Sequence, residues 1–182
     1  MVYSIEPAYS VYSELSRMLI KAGTEPTNKW FFTSGCFIPD LELQKIPNTS
    51  TAENFVVIFN KKIIAYFDAP WNKALNVISG FRFILFEKEQ QIVATKAFFQ
   101  YLDYIFVSRG ANSIQWIVAE KNIHACLLYE KFVKKYCGHK IGIRHYGQMA
   151  YDGEVSNVFL YELTKEEYFD WKLQNKKSFV ER

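Results

Sequence analysis

The run Ser113-Ile114-Gln115-Trp116-Ile117-Val118, followed shortly by Asn122-Ile123-His124-Ala125-Cys126-Leu127-Leu128-Tyr129-Glu130-Lys131, constrains the fold of this chain more than any other segment. The apolar, partly β-branched run suits a buried strand. Asn122 then offers a side-chain oxygen to cap a helix in which Ala125, Leu128 and Phe132 recur at helical spacing. A strand that feeds straight into an amphipathic helix points to an α/β arrangement, with the helix laid over a sheet.

The preceding segments extend this pattern. Residues from Glu89 to Ser108 carry a helical periodicity through Ile92, Phe98, Phe99, Leu102, Ile105 and Phe106, and Gly110 ends it. Before that helix, Val77-Ile78 and the run from Phe81 to Phe86 read as one apolar strand, and Ser79-Gly80 inside it signals a bulge. Strand, helix, strand, helix makes a parallel βαβ-like unit. Phe55–Phe59 and Ile63–Phe67, joined by Asn60-Lys61-Lys62, read as a hairpin of two central antiparallel strands. Val2–Ile5 suits a first strand, and Val11, Leu15, Met18 and Leu19 share one face of a helix that Gly23 and Pro26 stop. Residues 28–50 are punctuated by Gly35, Pro39 and Pro47 and read as irregular. Asp152-Gly153 supplies left-handed turn residues for a hairpin that ends in Val158-Phe159-Leu160-Tyr161-Glu162-Leu163.

Composition sets the limits on size and partners. With 182 residues, 49% of them hydrophobic and 18% aromatic, the chain supports one sizeable core, taken as a single domain over residues 1–172 with a polar tail over 173–182. The 22 basic and 19 acidic residues are scattered, so nothing calls for nucleic acid. Lys134-Lys135 and Lys176-Lys177 read as solvated faces. Cys36, Cys126 and Cys137 show no metal or disulfide spacing, which suits a reducing cytoplasm. No stretch reaches the roughly 18 apolar residues of a spanning helix, and the N-terminus carries no leader pattern, so a soluble, unprocessed protein is expected. His124, His139 and His145 lack ligand-like partners. Asp68 and Asn72 flank Pro70-Trp71, a turn that packs the Trp or lines a pocket. Exposed apolar surface would leave room for a homodimer.

Asn122, Ala125, Leu128, Tyr129 and Glu130 resemble the N-x-x-A-x-x-L-Y-E pattern of the GCN5-related N-acetyltransferase (GNAT) superfamily. The segments Gly142-Ile143-Arg144, Tyr151-Asp152-Gly153 and Val158–Tyr168 are similar to the closing hairpin of its ribosomal-protein and spermidine acetyltransferases. The resemblance implies a mixed, mostly antiparallel central sheet whose fourth and fifth strands splay, with helices on both faces and a variable lid over residues 28–50. It also implies acetyl-coenzyme A as cofactor and direct acyl transfer to a primary amine of a protein, peptide or small molecule.

The family's pyrophosphate loop, Q/R-x-x-G-x-G/A, falls on Gln91-Ile92-Val93-Ala94-Thr95-Lys96. Gln91 matches, whereas Ala94 and Lys96 stand where the family carries small, permissive residues. Glycine is wanted at such places because a side chain crowds a phosphate held on backbone N–H groups. Lys96 offers an ammonium to that phosphate or points into solvent. Tyr129 matches the family's acid for the departing thiolate, its alternative being a phenol packed between helix and sheet. Asn122 contacts the pantetheine, caps the helix, or both, and Glu87 is a candidate for drawing a proton from the amine. The alternative for the whole chain is a GNAT-fold protein that has lost the cofactor loop and serves as a binding or assembly module.

Overall fold

The computed structural model describes residues 2–30, 54–150 and 152–180. Most of the segment read as a lid, from residue 31 onward and with Cys36 in it, lies outside the described residues. In chain order the elements are β1 (Tyr3–Pro7), α1 (Tyr12–Thr24), β2 (Phe55–Phe59), β3 (Lys62–Asp68), β4 (Trp71–Asn72), β5 (Val77–Ser79) and β6 (Arg82–Leu85). There follow α2 (Gln91–Asp103), β7 (Ser113–Ala119), α3 (Ile123–Lys135), β8 (His139–Met149), β9 (Val155–Thr164) and α4 (Lys165–Val180). No described helix is long and apolar enough to cross a membrane.

The described strands form two sheets, ordered β1-β2-β3-β6 and β4-β5-β7-β9-β8. The run read as one bulged strand is divided between them. Before Gly80 it is β5, parallel to β7, and after Gly80 it is β6, antiparallel to β3. Gly80 adopts φ 81°, a left-handed conformation that side chains disfavour, while a Cβ placed there would meet nothing within 4 Å. Backbone conformation, and not crowding, therefore selects glycine. Every other strand pair is antiparallel, so the sheets are mixed and mostly antiparallel, as expected.

β3 is buried along nearly its whole length, which a strand achieves only when both faces are covered. Ile63, Tyr66 and Ile84 face Leu15 and Leu19 of α1, while Ile64 and Phe67 join the larger core beneath α2. Phe67 packs on Phe83 (5.2 Å between centroids) and Tyr101 (4.8 Å). Truncating so enclosed a ring costs about 3–5 kcal/mol. The β2–β3 turn is tight, with Asn60 and Lys61 both at positive φ. In the β8–β9 hairpin Gly153, and not Asp152, takes positive φ among the described residues, and Gly153 N–H donates to Ala150 O at 3.0 Å.

Two further contacts hold the frame. Arg82 lies opposite Asp68 across the β3–β6 pair, and its Nε donates to Asp68 Oδ2 at 2.6 Å in a buried ion pair. Asp68 is thus committed to the sheet. At the start of α4, Glu167 N–H donates to Thr164 Oγ1 and Thr164 N–H to Glu167 Oε2, a reciprocal cap that satisfies two end donors. α4 runs on to Val180, so the stretch read as a tail from residue 173 continues a helix.

Candidate active site

Gly80 and Phe81 both donate their N–H groups to Gln115 O at 2.9 Å, and this is where the two sheets part. β5 accompanies β7 only as far as Ser79 opposite Gln115. Beyond it, β7 from Trp116 to Ala119 keeps β9 on one side and has no described strand on the other. β6 keeps β3 on one side and is the last strand of its sheet. The two strands therefore fork, and among the described residues no strand lies between β6 and the outer half of β7. Such edges retain the capacity to bind an extended chain.

α2 and α3 leave the ends of the two forked strands and flank a partly open cavity of about 280 Å³. Its walls are largely aromatic. Phe83 of β6 stacks on Phe98 of α2 (5.5 Å, 11°), and Trp116 of β7 stacks on Tyr161 (5.6 Å, 9°) and leans on Tyr129 of α3 (5.5 Å). Gln91 and Thr95 of α2 and Lys131 and Lys135 of α3 add the polar lining. None of the three last-named residues, nor Phe98, Phe132 or Trp116, was read as a site residue from sequence, and Lys135 was read as part of a solvated face. Their signal was the spacing 91, 95, 98, 102 on one helix and 128, 131, 132, 135 on the other, which marks one face of each.

Among the described residues one buried side-chain polar atom has no partner, the indole Nε1 of Trp116, and this residue is only 5% exposed. An unpaired buried donor costs about 1–3 kcal/mol. Tyr129 lines the same cavity, and burial alone pushes its phenol up to about 12. It makes no hydrogen bond among the described residues. Tyr161 differs: its hydroxyl donates to Glu130 Oε1 at 2.8 Å, and Lys140 Nζ reaches the same oxygen at 3.2 Å. The Tyr161 hydrogen bond, then Lys140, hold the Glu130 carboxyl below its usual range. Of the two phenols, only Tyr129 has its hydroxyl uncommitted.

The other sequence-derived residues are placed as follows. Asn122 caps α3, its side-chain oxygen accepting from Ala125 N–H at 3.2 Å. Gln91 opens α2 and lines the cavity. Ala94 is fully buried in the main core, and Lys96 is exposed and outside the lining. Glu87 sits half-buried at the end of β6, also outside the lining. Residues 91–96 are helical throughout and none has positive φ, so the backbone there makes no demand for glycine. Ala94 turns its methyl into the core, where it does not crowd the cavity. The N-terminus of α2 carries no side-chain cap. Among the described residues no group of three or more His, Cys, Asp and Glu could hold a metal ion.

No family profile matches the sequence, and no curated protein matches it. Solved structures do. A spermidine N-acetyltransferase SpeG chimera from Vibrio cholerae and hSSAT superposes with TM-score 0.69 at 17% identity, over 92% of this chain and 98% of its own. The ribosomal-protein-S18-alanine N-acetyltransferase of Escherichia coli superposes with TM-score 0.66 at 16% identity, over 90% of this chain and 94% of its own. The chain has the fold of these GNAT-type acetyltransferases.

Proposed function

We propose that this chain transfers an acyl group from an acyl-coenzyme A to a primary amine by direct attack. The observation that carries the reading is the forked strand pair, which leaves two strand edges without a described strand partner beside a partly open apolar slot with an uncommitted phenol in its wall. The fold it shares with acetyltransferases supports the same reading.

The residues present fit the cofactor. The edges of Phe83–Leu85 and Trp116–Ala119 can pair with the amides of a pantetheine arm as an added strand would. The unpartnered Trp116 Nε1 is a donor suited to one of its carbonyls. The helical segment that begins with the 3₁₀ turn Lys88–Gln90 and runs into α2 brings the positive end of a helix dipole toward phosphate, and Lys131 and Lys135 supply ammonium groups beside the slot. When bound, the cofactor supplies an acyl carbon activated as a thioester.

The chain's own part is to position, exclude water and hold a proton. The aromatic walls of Phe83, Phe98, Phe132 and Trp116 keep water from the slot. Tyr129 Oη, at about 12, stays protonated throughout the physiological range. A thiol ionises near ~8.5, so complete proton transfer from this phenol to a thiolate is uphill and Tyr129 acts as a hydrogen-bond donor to the sulfur. Glu87, half-buried at the end of β6, is assigned the proton that the amine loses. The similar structures are named for spermidine and for a protein alanine, and a primary amine on a small molecule, peptide or protein is the acceptor class proposed here. The free, buried thiols of Cys126 and Cys137 suit a reducing cytoplasm.

A second reading, a non-enzymatic binding module, is favoured by one observation: residues 91–96 form ordinary helix where the family motif carries glycines. Calorimetric titration with acetyl-coenzyme A separates the two. Micromolar binding is expected for the enzyme. No heat and no thermal shift at millimolar cofactor would sink acyl transfer and leave the module.

A further inference from the structure

A pantetheine arm held between the forked strands leaves the slot at its open end, where α2 and α3 both begin. Whatever the arm is attached to must therefore rest on the outer surfaces of these two helices. Those surfaces are apolar on both flanks of the slot. Ile92 on α2 is 71% exposed, and Ile123 and Leu127 on α3, one turn apart, are 61% and 56% exposed. None of the three lines the slot. They continue its apolar wall outward, since Leu128 lines the slot, is 49% exposed and adjoins Leu127. Exposed apolar side chains grouped at the rim of a cleft mark a surface that another macromolecule covers.

Charge selects the partner. Residues 87–100 and 123–135 include Lys88, Lys96, Lys131, Lys134 and Lys135, and among the described residues none of the five is in an ion pair. Of the acids in the same stretches, Glu130 is held by Lys140 and by the Tyr161 hydroxyl. Glu87 and Glu89 remain, in the turn that leads into α2. The lysines attract an acidic body. The two carboxylates oppose phosphate beside them, and that repulsion grows with the number of phosphates. Coenzyme A carries a pyrophosphate and a further phosphate, whereas the same arm fixed to a protein hydroxyl carries a single phosphodiester. A rim that is apolar and cationic, with carboxylates at the phosphate position, therefore suits an arm whose far end is an acidic protein.

We infer that the outer surfaces of α2 and α3 around the slot, with Ile92, Ile123, Leu127 and Lys134, dock an acidic carrier protein that presents the acyl group as a thioester on its phosphopantetheine arm. This rests on the acyl-transfer reading, and acyl-coenzyme A enters by the same arm without the docked body. The chemistry is the same for both donors. The amine nitrogen forms a bond to the acyl carbon, the carbon–sulfur bond breaks with its electron pair on sulfur, and the proton lost by the amine balances the thiol with which the carrier departs.

The test is calorimetric titration of the unmodified full chain with acetyl-coenzyme A, acetyl-phosphopantetheine and a small acidic acyl carrier protein bearing the acetylated arm, at low and at high salt. Tethering the arm to a docked body is expected to tighten binding at least ~tenfold over free acetyl-phosphopantetheine at low salt, with most of that gain lost at high salt. Ile92→Ser combined with Leu127→Ser, both outside the slot lining, is expected to remove the larger part of the gain and leave the acetyl-coenzyme A affinity unchanged. If acetyl-coenzyme A binds but the carrier-borne arm binds no more tightly than the free arm, docking is refuted and acyl transfer stands. If no member of the series binds, both fail. A gain that survives in the double variant, with its circular dichroism unchanged, would put the carrier elsewhere and refute the assignment. Should that variant fail to fold, Lys134→Glu, at an exposed position, serves in its place and is expected to lower the gain severalfold. Binding to anionic phosphatidylglycerol vesicles and not to the carrier would make the rim a lipid-facing surface and overturn the proposal.

Discussion

α2 and α3 rise from the two arms of the same fork, yet they begin in opposite ways. α3 starts on Asn122, whose side-chain oxygen takes the Ala125 N–H, so part of its electropositive end is satisfied from within. α2 has no side-chain cap and is led in by a 3₁₀ turn over Lys88–Gln90, in which Gln90 N–H donates to Glu87 O and Gln91 N–H to Lys88 O. A capped helix start is complete without a ligand, and an uncapped one still offers donors to an anion. On the proposed reading, the better-preserved motif, at residues 122–130, does structural work, and the altered one, at 91–96, faces the phosphates.

The sharpest way to break this comparison concerns the chemistry between the helices. Tyr129→Phe removes the uncommitted hydroxyl and should lower kcat by about 10²-fold or more with the fold intact, as read by steady-state rates and circular dichroism. Undiminished turnover would remove Tyr129 from the mechanism. Next in size, Lys131→Glu combined with Lys135→Glu should weaken acyl-coenzyme A binding by roughly tenfold at low salt, less at high salt. Equal affinity at both salt levels would detach these lysines from the phosphates.

Capping itself provides smaller effects of opposite sign. Asn122→Ala should destabilise the protein by about 1 kcal/mol in denaturant unfolding. Gln90→Asp gives α2 its own cap, and should raise stability by ~0.5–1 kcal/mol while weakening cofactor binding several-fold, since a carboxylate then occupies the anion's place. If Gln90→Asp tightened binding, α2 would not be the phosphate helix.

The smallest contrast is with pH. Burial pushes Tyr129 up to about 12, and burial foremost also raises Tyr161 and Tyr168. A phenol raised on folding contributes its stability in full below the unfolded value of ~10 and loses it as pH climbs through the folded value. The melting temperature should therefore hold level through neutral pH as far as these phenols govern it, and drop above pH ~10. A level profile to pH 12 would mean that these phenols are solvated.

The local pattern of the chain was legible because it rests on neighbours in sequence. The hairpin at Asn60-Lys61, the bulge at Gly80 and the cap at Asn122 each follow from what one side chain or one φ angle permits. Legibility was limited at residues 91–96, which were read through the family motif as a phosphate loop lacking its glycines and which the fold makes the regular start of α2. With the helix already regular from Gln91 and the Ala94 methyl turned into the core, glycine has no conformational task. It failed too for Trp116, read as strand filling, because an indole N–H reveals its want of a partner only when everything around it is placed.

By itself the sequence determined most of the strands and helices up to Leu163, that one strand is interrupted at Gly80, and that a helix begins at Asn122, but not the helix α4. These depend on backbone preference and periodicity within a few residues. Only the tertiary structure decided that the interrupted strand changes sheets, that its fork with β7 leaves two edges unpaired, and that Phe81, Leu102, Ile114 and Leu163 meet beneath it. Those residues stand up to 82 positions apart in the chain, and what brings them together is the burial of their apolar surface, which no local preference encodes.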